Sequence, residues 1–121
     1  MAKILIAEDD RVALEIFSSA VESMGHFVIR AINGHMAWEV LQANEDIALL
    51  ISDMSMPEMD GSELIRIIRS CTRFSKLPII VVSGAIRARQ IAHLLEQGVT
   101  HFMAKPVQIQ EFKDVIMRYV A

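Results

Sequence analysis

The chain has a single cysteine, Cys71, so no disulfide can form within it. That scarcity fits a reducing compartment, and a cytoplasmic location is expected. Runs of lysine and arginine are absent. With 12 basic against 15 acidic residues the net charge is −3, which argues against direct binding to nucleic acid. No long apolar run is present either. The N-terminal stretch MAKILIAEDD meets its acids too soon for a signal peptide or a membrane span, and no membrane partner is expected. Internal repeats, low-complexity tracts and linkers are missing, so residues 1–121 read as one domain. Disorder is excluded by a hydrophobic content of 53%. The length suffices to bury a core without disulfide or metal staples.

What is present is an alternation of short apolar runs with helical periodicity. Lys3 to Ala7 reads as a first strand, and Val12, Ala13, Ile16, Phe17, Ala20, Val21 and Met24 fall on one face of a helix that Gly25 stops. A second strand, Phe27 to Ile32, leads to an Asn33-Gly34 turn and a helix marked by Met36, Ala37, Val40 and Leu41. The third strand is Ala48 to Ser52, followed by a loop with Pro57. Asp60, with Glu63 three positions on, signals the start of a third helix, whose buried side is Leu64, Ile65, Ile67 and Ile68. Pro78 opens the fourth strand, Ile79 to Ser83. A fourth helix carries Ala88, Ile91, Ala92 and Leu95 and ends at Gly98. His101 to Ala104 is a short fifth strand, and the last helix carries Ile109, Phe112, Val115, Ile116 and Tyr119. Five β-α units of this length imply a parallel sheet covered by helices on both faces, an α/β three-layer sandwich. Spacing does not give the strand order.

The polar residues that close these strands carry the chemistry. Glu8, Asp9 and Asp10 follow ILIA, Asp53 follows IALLIS, Ser83 closes PIIVVS and Lys105 closes HFMA. In open α/β sheets ligands bind at the carboxyl ends of strands. Carboxylates gathered there either take up protons or hold a cation. With no histidine or cysteine at these ends, zinc and copper are disfavoured, and oxygen ligands point to Mg²⁺. Ser83 and Lys105 are then free to contact a phosphoryl group. Asp53 is the expected nucleophile, because a carboxylate can accept a phosphoryl group as an acyl phosphate.

These residues give the chain a family resemblance. ILIAEDD, DMSMPEMDG (residues 53–61), VVSG and FMAKP, each after an expected strand and in this order, resemble the receiver domains of two-component response regulators, in particular chemotaxis-type regulators. The resemblance implies a flavodoxin-like five-stranded sheet in the order 2-1-3-4-5. It implies Asp53 as phospho-acceptor, Asp9 and Asp53 as Mg²⁺ ligands with the Ser55 carbonyl, and Glu8 acting through water. It also implies Ser83 and Lys105 on the phosphoryl oxygens and Phe102 as a switch aromatic that turns inward when Ser83 moves. A cis bond before Pro106 is common in the family. The implied partners are a sensor histidine kinase or phosphotransfer protein upstream and an effector protein or domain downstream, met through the face of the fourth helix, fifth strand and fifth helix. Such a domain catalyses only its own phosphorylation and dephosphorylation and is not otherwise an enzyme.

Some positions depart from the family pattern. Asp10 is a third acid, expected to face solvent or cap the first helix. Ser83 stands where threonine is commoner, and Phe102 lacks a phenol. Thr100 and His101 replace an acidic pair, which weakens the case for the usual dimer face. Val107-Gln108 opens the last helix without a good cap. Three rivals are disfavoured. An aspartyl-phosphate phosphatase of the haloacid dehalogenase kind needs an acid where Ser55 stands. A flavodoxin-like carrier needs a phosphate loop where Glu8, Asp9 and Asp10 would repel phosphate. A docking-only pseudo-receiver would not need the full set of acids, hydroxyl and lysine. His26, His35, His93 and His101 lack metal spacing, Cys71 is expected to be inert, and Trp38 is expected to pack partly against the sheet. Met54, Met56 and Met59 are expected to fill gaps around Asp53.

Overall fold

The structure is a computed structural model that describes residues 1–84 and 87–120. The strands are β1 (Lys3–Ala7), β2 (Phe27–Ala31), β3 (Ile47–Ser52), β4 (Ile79–Ser83) and β5 (His101–Ala104). The helices are α1 (Arg11–Ser23), α2 (Gly34–Ala43), α3 (Gly61–Ser70), α4 (Ala88–Glu96) and α5 (Ile109–Tyr119), with a short 3₁₀ turn at Thr72–Phe74. All pairings are parallel and the sheet order is β2-β1-β3-β4-β5, with β1 beside β3 as the acids require.

Alternation along the strands divides the core in two. Leu5, Leu50, Ile79 and Val81 face α2, α3 and α4, where they meet Leu41, Leu64, Ile65, Ile68 and Leu94. Ile4, Ile6, Leu49, Ile51, Ile80 and Val82 face α1 and α5, where they meet Phe17, Val21, Phe112 and Ile116. Phe17 and Phe112 stack across that second layer with ring centroids 4.8 Å apart. Among the described residues no helix is long and apolar enough to cross a membrane.

Three of the helices, α1, α2 and α3, start at a residue whose side chain caps them. Asp10 accepts the Val12 N–H (3.2 Å), so the third acid caps α1. Asp60 accepts the Glu63 N–H at 2.9 Å. Gln108 starts α5 with no side-chain cap, as its sequence suggests. Gly25 and Gly98 take positive φ (88° and 98°) just beyond α1 and α4.

Four local expectations need correction. Asn33-Gly34 is not a free turn: the Asn33 carbonyl oxygen Oδ1 accepts the Met36 N–H at 2.7 Å, making Asn33 the cap of α2 and Gly34 its first residue. Strand β2 ends at Ala31, one residue before the expected Ile32, and β3 begins at Ile47, one residue before the expected Ala48. Val12 and Ile16 sit on the exposed flank of α1, 67% and 47% accessible, because the sheet needs only the Leu14–Phe17–Val21 stripe. On α4 the buried residue is Leu94, while Leu95 points to solvent. Trp38 packs edge-on against Phe74, at 5.7 Å, at the margin of the core.

Candidate functional site

Strand register places the polar residues level with one another. Ala7 pairs with Ser52, so Glu8 and Asp53 emerge side by side, and the Asp53 N–H donates to the Ala7 carbonyl at 3.0 Å. The Glu8 N–H donates to Ala31 on the other flank (2.9 Å). Ser83 pairs with Ala104, and the Lys105 N–H donates to the Ser83 carbonyl at 2.9 Å. One backbone ladder therefore delivers all four side chains to the same end of the sheet. The bond between Lys105 and Pro106 is cis.

The side chains converge. Lys105 Nζ lies 2.8 Å from Glu8 Oε1 and 3.4 Å from Asp53 Oδ2. Carboxylate oxygens of Glu8, Asp9 and Asp53 all fall within 4.8 Å of one another. Glu8 and Asp53 are buried while Asp9 is exposed, so the cluster opens to solvent on the Asp9 side. Backbone donors orient the two buried acids: Met54 N–H donates to Asp53 Oδ1 at 2.7 Å, and Asp10 N–H donates to Glu8 Oε2 at 3.2 Å. Ser55 is exposed in the loop after β3. Ser83 is buried at the end of β4. Phe102 is half-buried, and its ring already packs against the core under α2, α3 and α4. The loop after β4 includes residues 85 and 86, which lie outside the described residues.

Burial dominates the electrostatics. It pushes the Glu8 carboxyl up to about 7, the neighbouring Asp53 adds to the rise, and Lys105 and the Asp10 N–H oppose it. Burial alone would lower the Lys105 ammonium, but the hydrogen bonds and charges of Glu8 and Asp53 outweigh it and hold the pKa above its ordinary value. Three acids against one ammonium leave an excess of negative charge, which the pocket relieves by protonating Glu8 or by taking a cation. An oxygen-only donor set with one open side fits a hard divalent ion that keeps part of its water shell.

Two contributors carry no sequence signal. The Met54 and Asp10 amides act through the backbone and are invisible in side-chain chemistry. Gly61 is a partial exception, because a Cβ there would collide with the Asp53 carbonyl, and its N–H donates to the Met54 carbonyl at 3.0 Å. The D-G pair at the start of a helix hints at such a close approach. The histidines stay outside the cluster. His26 Nδ1 accepts the Ala2 N–H at 2.9 Å, His35 pairs with Glu39 at 2.9 Å, and His101 faces the Tyr119 ring at 6.4 Å. Met54, Met56 and Met59 pack against the core as expected of gap-filling side chains.

Known proteins resemble this chain in sequence and fold. The chain is similar to Chemotaxis protein CheY1 of Helicobacter pylori, 34% identical over 113 residues that make up 93% of this chain and 91% of that protein. The crystal structure of a response regulator receiver protein from Pseudomonas putida superposes with a TM-score of 0.90, covering 97% of this chain and 96% of that one at 29% identity. A receiver domain protein from Clostridium thermocellum gives a TM-score of 0.91 over 99% of this chain and 94% of that one; at 24% identity it is a likeness of fold alone. The family model for the response regulator receiver domain matches residues 4–117, a span that contains every strand end described above. The chain therefore belongs to the response regulator receiver domain family of two-component signalling.

Proposed function

We propose that the chain is a phosphorylation-controlled switch in which Asp53 accepts a phosphoryl group from a sensor histidine kinase or a phosphotransfer protein. The observation that carries this reading is the bridge at Lys105: one ammonium touches both Glu8 and Asp53 at the mouth of an acidic cluster. An Asp53 carboxylate oxygen attacks phosphorus, an acyl phosphate forms, and the P–N bond of the donor phosphohistidine breaks as its imidazole takes a proton and leaves. Lys105 steadies the charge that gathers on the phosphoryl oxygens. Asp9, Asp53 and the Ser55 carbonyl would hold Mg²⁺ directly and Glu8 through water. When bound, the ion neutralises phosphoryl charge.

The new group carries a charge of about −1.5 to −2 at pH 7. Ser83 donates its hydroxyl to a phosphoryl oxygen, and the Lys105 ammonium transfers its contact from Glu8 toward the phosphate. Ser83 ends the strand before α4 and Lys105 follows β5, so their movement reaches the α4-β5-α5 face, which changes shape for an effector protein or domain. Phosphorylation biases two pre-existing arrangements rather than creating a new one, and Phe102 packs against the core in the arrangement of this structure. The chain acts on no external metabolite, and its chemistry is its own phosphorylation and dephosphorylation in the cytoplasm. An exposed Ser55, two residues after Asp53, offers no acid for phosphatase turnover.

Intact mass after incubation with Mg²⁺ and acetyl phosphate tests the reading. Wild type is expected to gain one phosphoryl group and Asp53→Asn none. If neither gains mass with any donor, a docking-only domain becomes the better description.

A further inference from the structure

The chain's charges are unevenly distributed. Six of its 12 lysines and arginines, and none of its 15 acids, lie between residues 64 and 95. That stretch builds α3 from Leu64 on, the 3₁₀ turn, β4 and α4 up to Leu95, and the acids Glu63 and Glu96 sit just outside it at the outer ends of the two helices. Two of its arginines are engaged within the fold. Arg69 donates to the carbonyls of Phe74, Leu77 and Gly98, and Arg73 to those of Gln42 and Asn44. Arg66, Arg87 and Arg89 form no ion pair among the described residues, and all three are exposed. In a chain of net charge −3, this flank is net positive even with Asp60, Glu63 and Glu96 counted against its six lysines and arginines.

A groove of about 430 Å³ runs along it between α3 and α4, lined by Met54, Ser62, Arg89, Gln90, His93 and Leu94. Half-buried Met54 and buried Leu94 give it an apolar floor. Arg89 and His93 are one turn apart on α4, and Arg66 is one turn beyond Ser62 on α3, so cationic or donor side chains border both walls. The groove is lined from the loop after β3, α3 and α4, with no residue of β5 or α5. An apolar slot with a basic rim matches a partner that is acidic and apolar in alternation. A bare polyanion leaves the floor unfilled, and a neutral apolar segment leaves the rim unpaired. Methionine in the floor lets the slot adjust to the shape of its occupant.

We propose that the α3–α4 groove is a docking site for an acidic amphipathic protein segment. Its carboxylates pair with Arg66, Arg89 and His93 around one apolar side chain seated between Met54 and Leu94. This assignment stands on the groove and its charge and does not depend on phosphoryl transfer to Asp53.

The test is selection from a random linear peptide library on the immobilised full chain, followed by amide-shift mapping of the winning peptides by NMR. Selected sequences are expected to carry aspartate and glutamate around a Leu, Met or Phe, and to shift the amides of Met54, Ser62, Arg89 and Gln90. Their affinity should fall at least about tenfold in the Arg66→Glu/Arg89→Glu variant and should weaken with added salt, while Lys113→Glu on α5 leaves it unchanged. Should the double reversal fail to fold, Arg66→Gln/Arg89→Gln serves in its place, with a loss of about threefold or more expected. Neutral or basic winners, an absence of winners, shifts on another face, or tighter binding of a short DNA duplex to the same amides would each overturn the proposal.

Discussion

Lys105 is the one cation within ion-pair distance of Glu8 and Asp53 among the described residues, and it has two opposed effects on the pocket. It offers a fixed positive charge to an incoming phosphoryl group, and it competes with any metal ion for the same carboxylates. Lys105→Ala should therefore slow phosphorylation by acetyl phosphate about 10²- to 10³-fold at saturating Mg²⁺, the cost of removing a preorganised charge. The same change should leave Mg²⁺ binding as tight or tighter, because the acids lose their internal counter-charge. Time-resolved intact mass reads the first effect and isothermal titration the second; an unchanged rate would remove Lys105 from the transfer step. Glu8, Asp53, Ser83 and Lys105 were legible in the sequence because each ends or follows an apolar run, and strand ends in a parallel sheet share one edge. The packing of Phe102 against the core was not, because a half-buried ring at a sheet edge has two faces to choose from and only neighbouring layers decide between them.

Among the elements, the junction beneath α3 and α4 depends on Arg69. Its guanidinium donates to Gly98 at 2.8 and 3.0 Å, to Phe74 at 2.8 Å and to Leu77 at 2.7 Å. These contacts tie the end of α3, the 3₁₀ turn, the approach to β4 and the turn after α4 into one piece. Burial lowers the pKa of the guanidinium, yet arginine starts so high that it stays charged. Arg69→Ala should cost about 2–3 kcal/mol in urea denaturation, because it strands several partly buried carbonyls. Arg69→Lys should recover only part of that loss, since an ammonium cannot span three acceptors with a planar fork. Equal midpoints for wild type and Arg69→Ala would show that water satisfies those carbonyls equally well. Nothing in the sequence distinguished Arg69 from Arg66, one turn earlier on the same helix. Element identity followed from periodicity because this fold repeats one unit five times. Which residues of a helix are buried followed less well: α1 and α4 each carry more apolar residues than the sheet covers, which leaves Val12, Ile16 and Leu95 in solvent.

For the molecule as a whole, the two cores hold β1 and β3 rigidly enough to keep like charges together, and stability must then depend on pH. An ordinary glutamate titrates near 4.5, whereas Glu8 in the folded protein titrates near 7. Across that window the folded state keeps a proton that the unfolded chain has released. The stabilisation is therefore complete below about pH 4.5, declines as pH rises through about 7 and levels off above it. The ceiling on the loss is about 3 kcal/mol. A cation held by the ionised acids offsets it, since Mg²⁺ at a hundredfold excess over its dissociation constant adds about 2.7 kcal/mol. Urea midpoints should thus be lower at pH 8 than at pH 5 without Mg²⁺, and Mg²⁺ should nearly close the gap. Glu8→Gln should flatten the Mg²⁺-free slope over this range, because an amide has no proton to lose. If Glu8→Gln keeps the full slope, or if Mg²⁺ leaves the pH 8 midpoint unmoved, the acids are too far apart in solution to act as one cluster, and the convergence that supports the signalling reading fails with them.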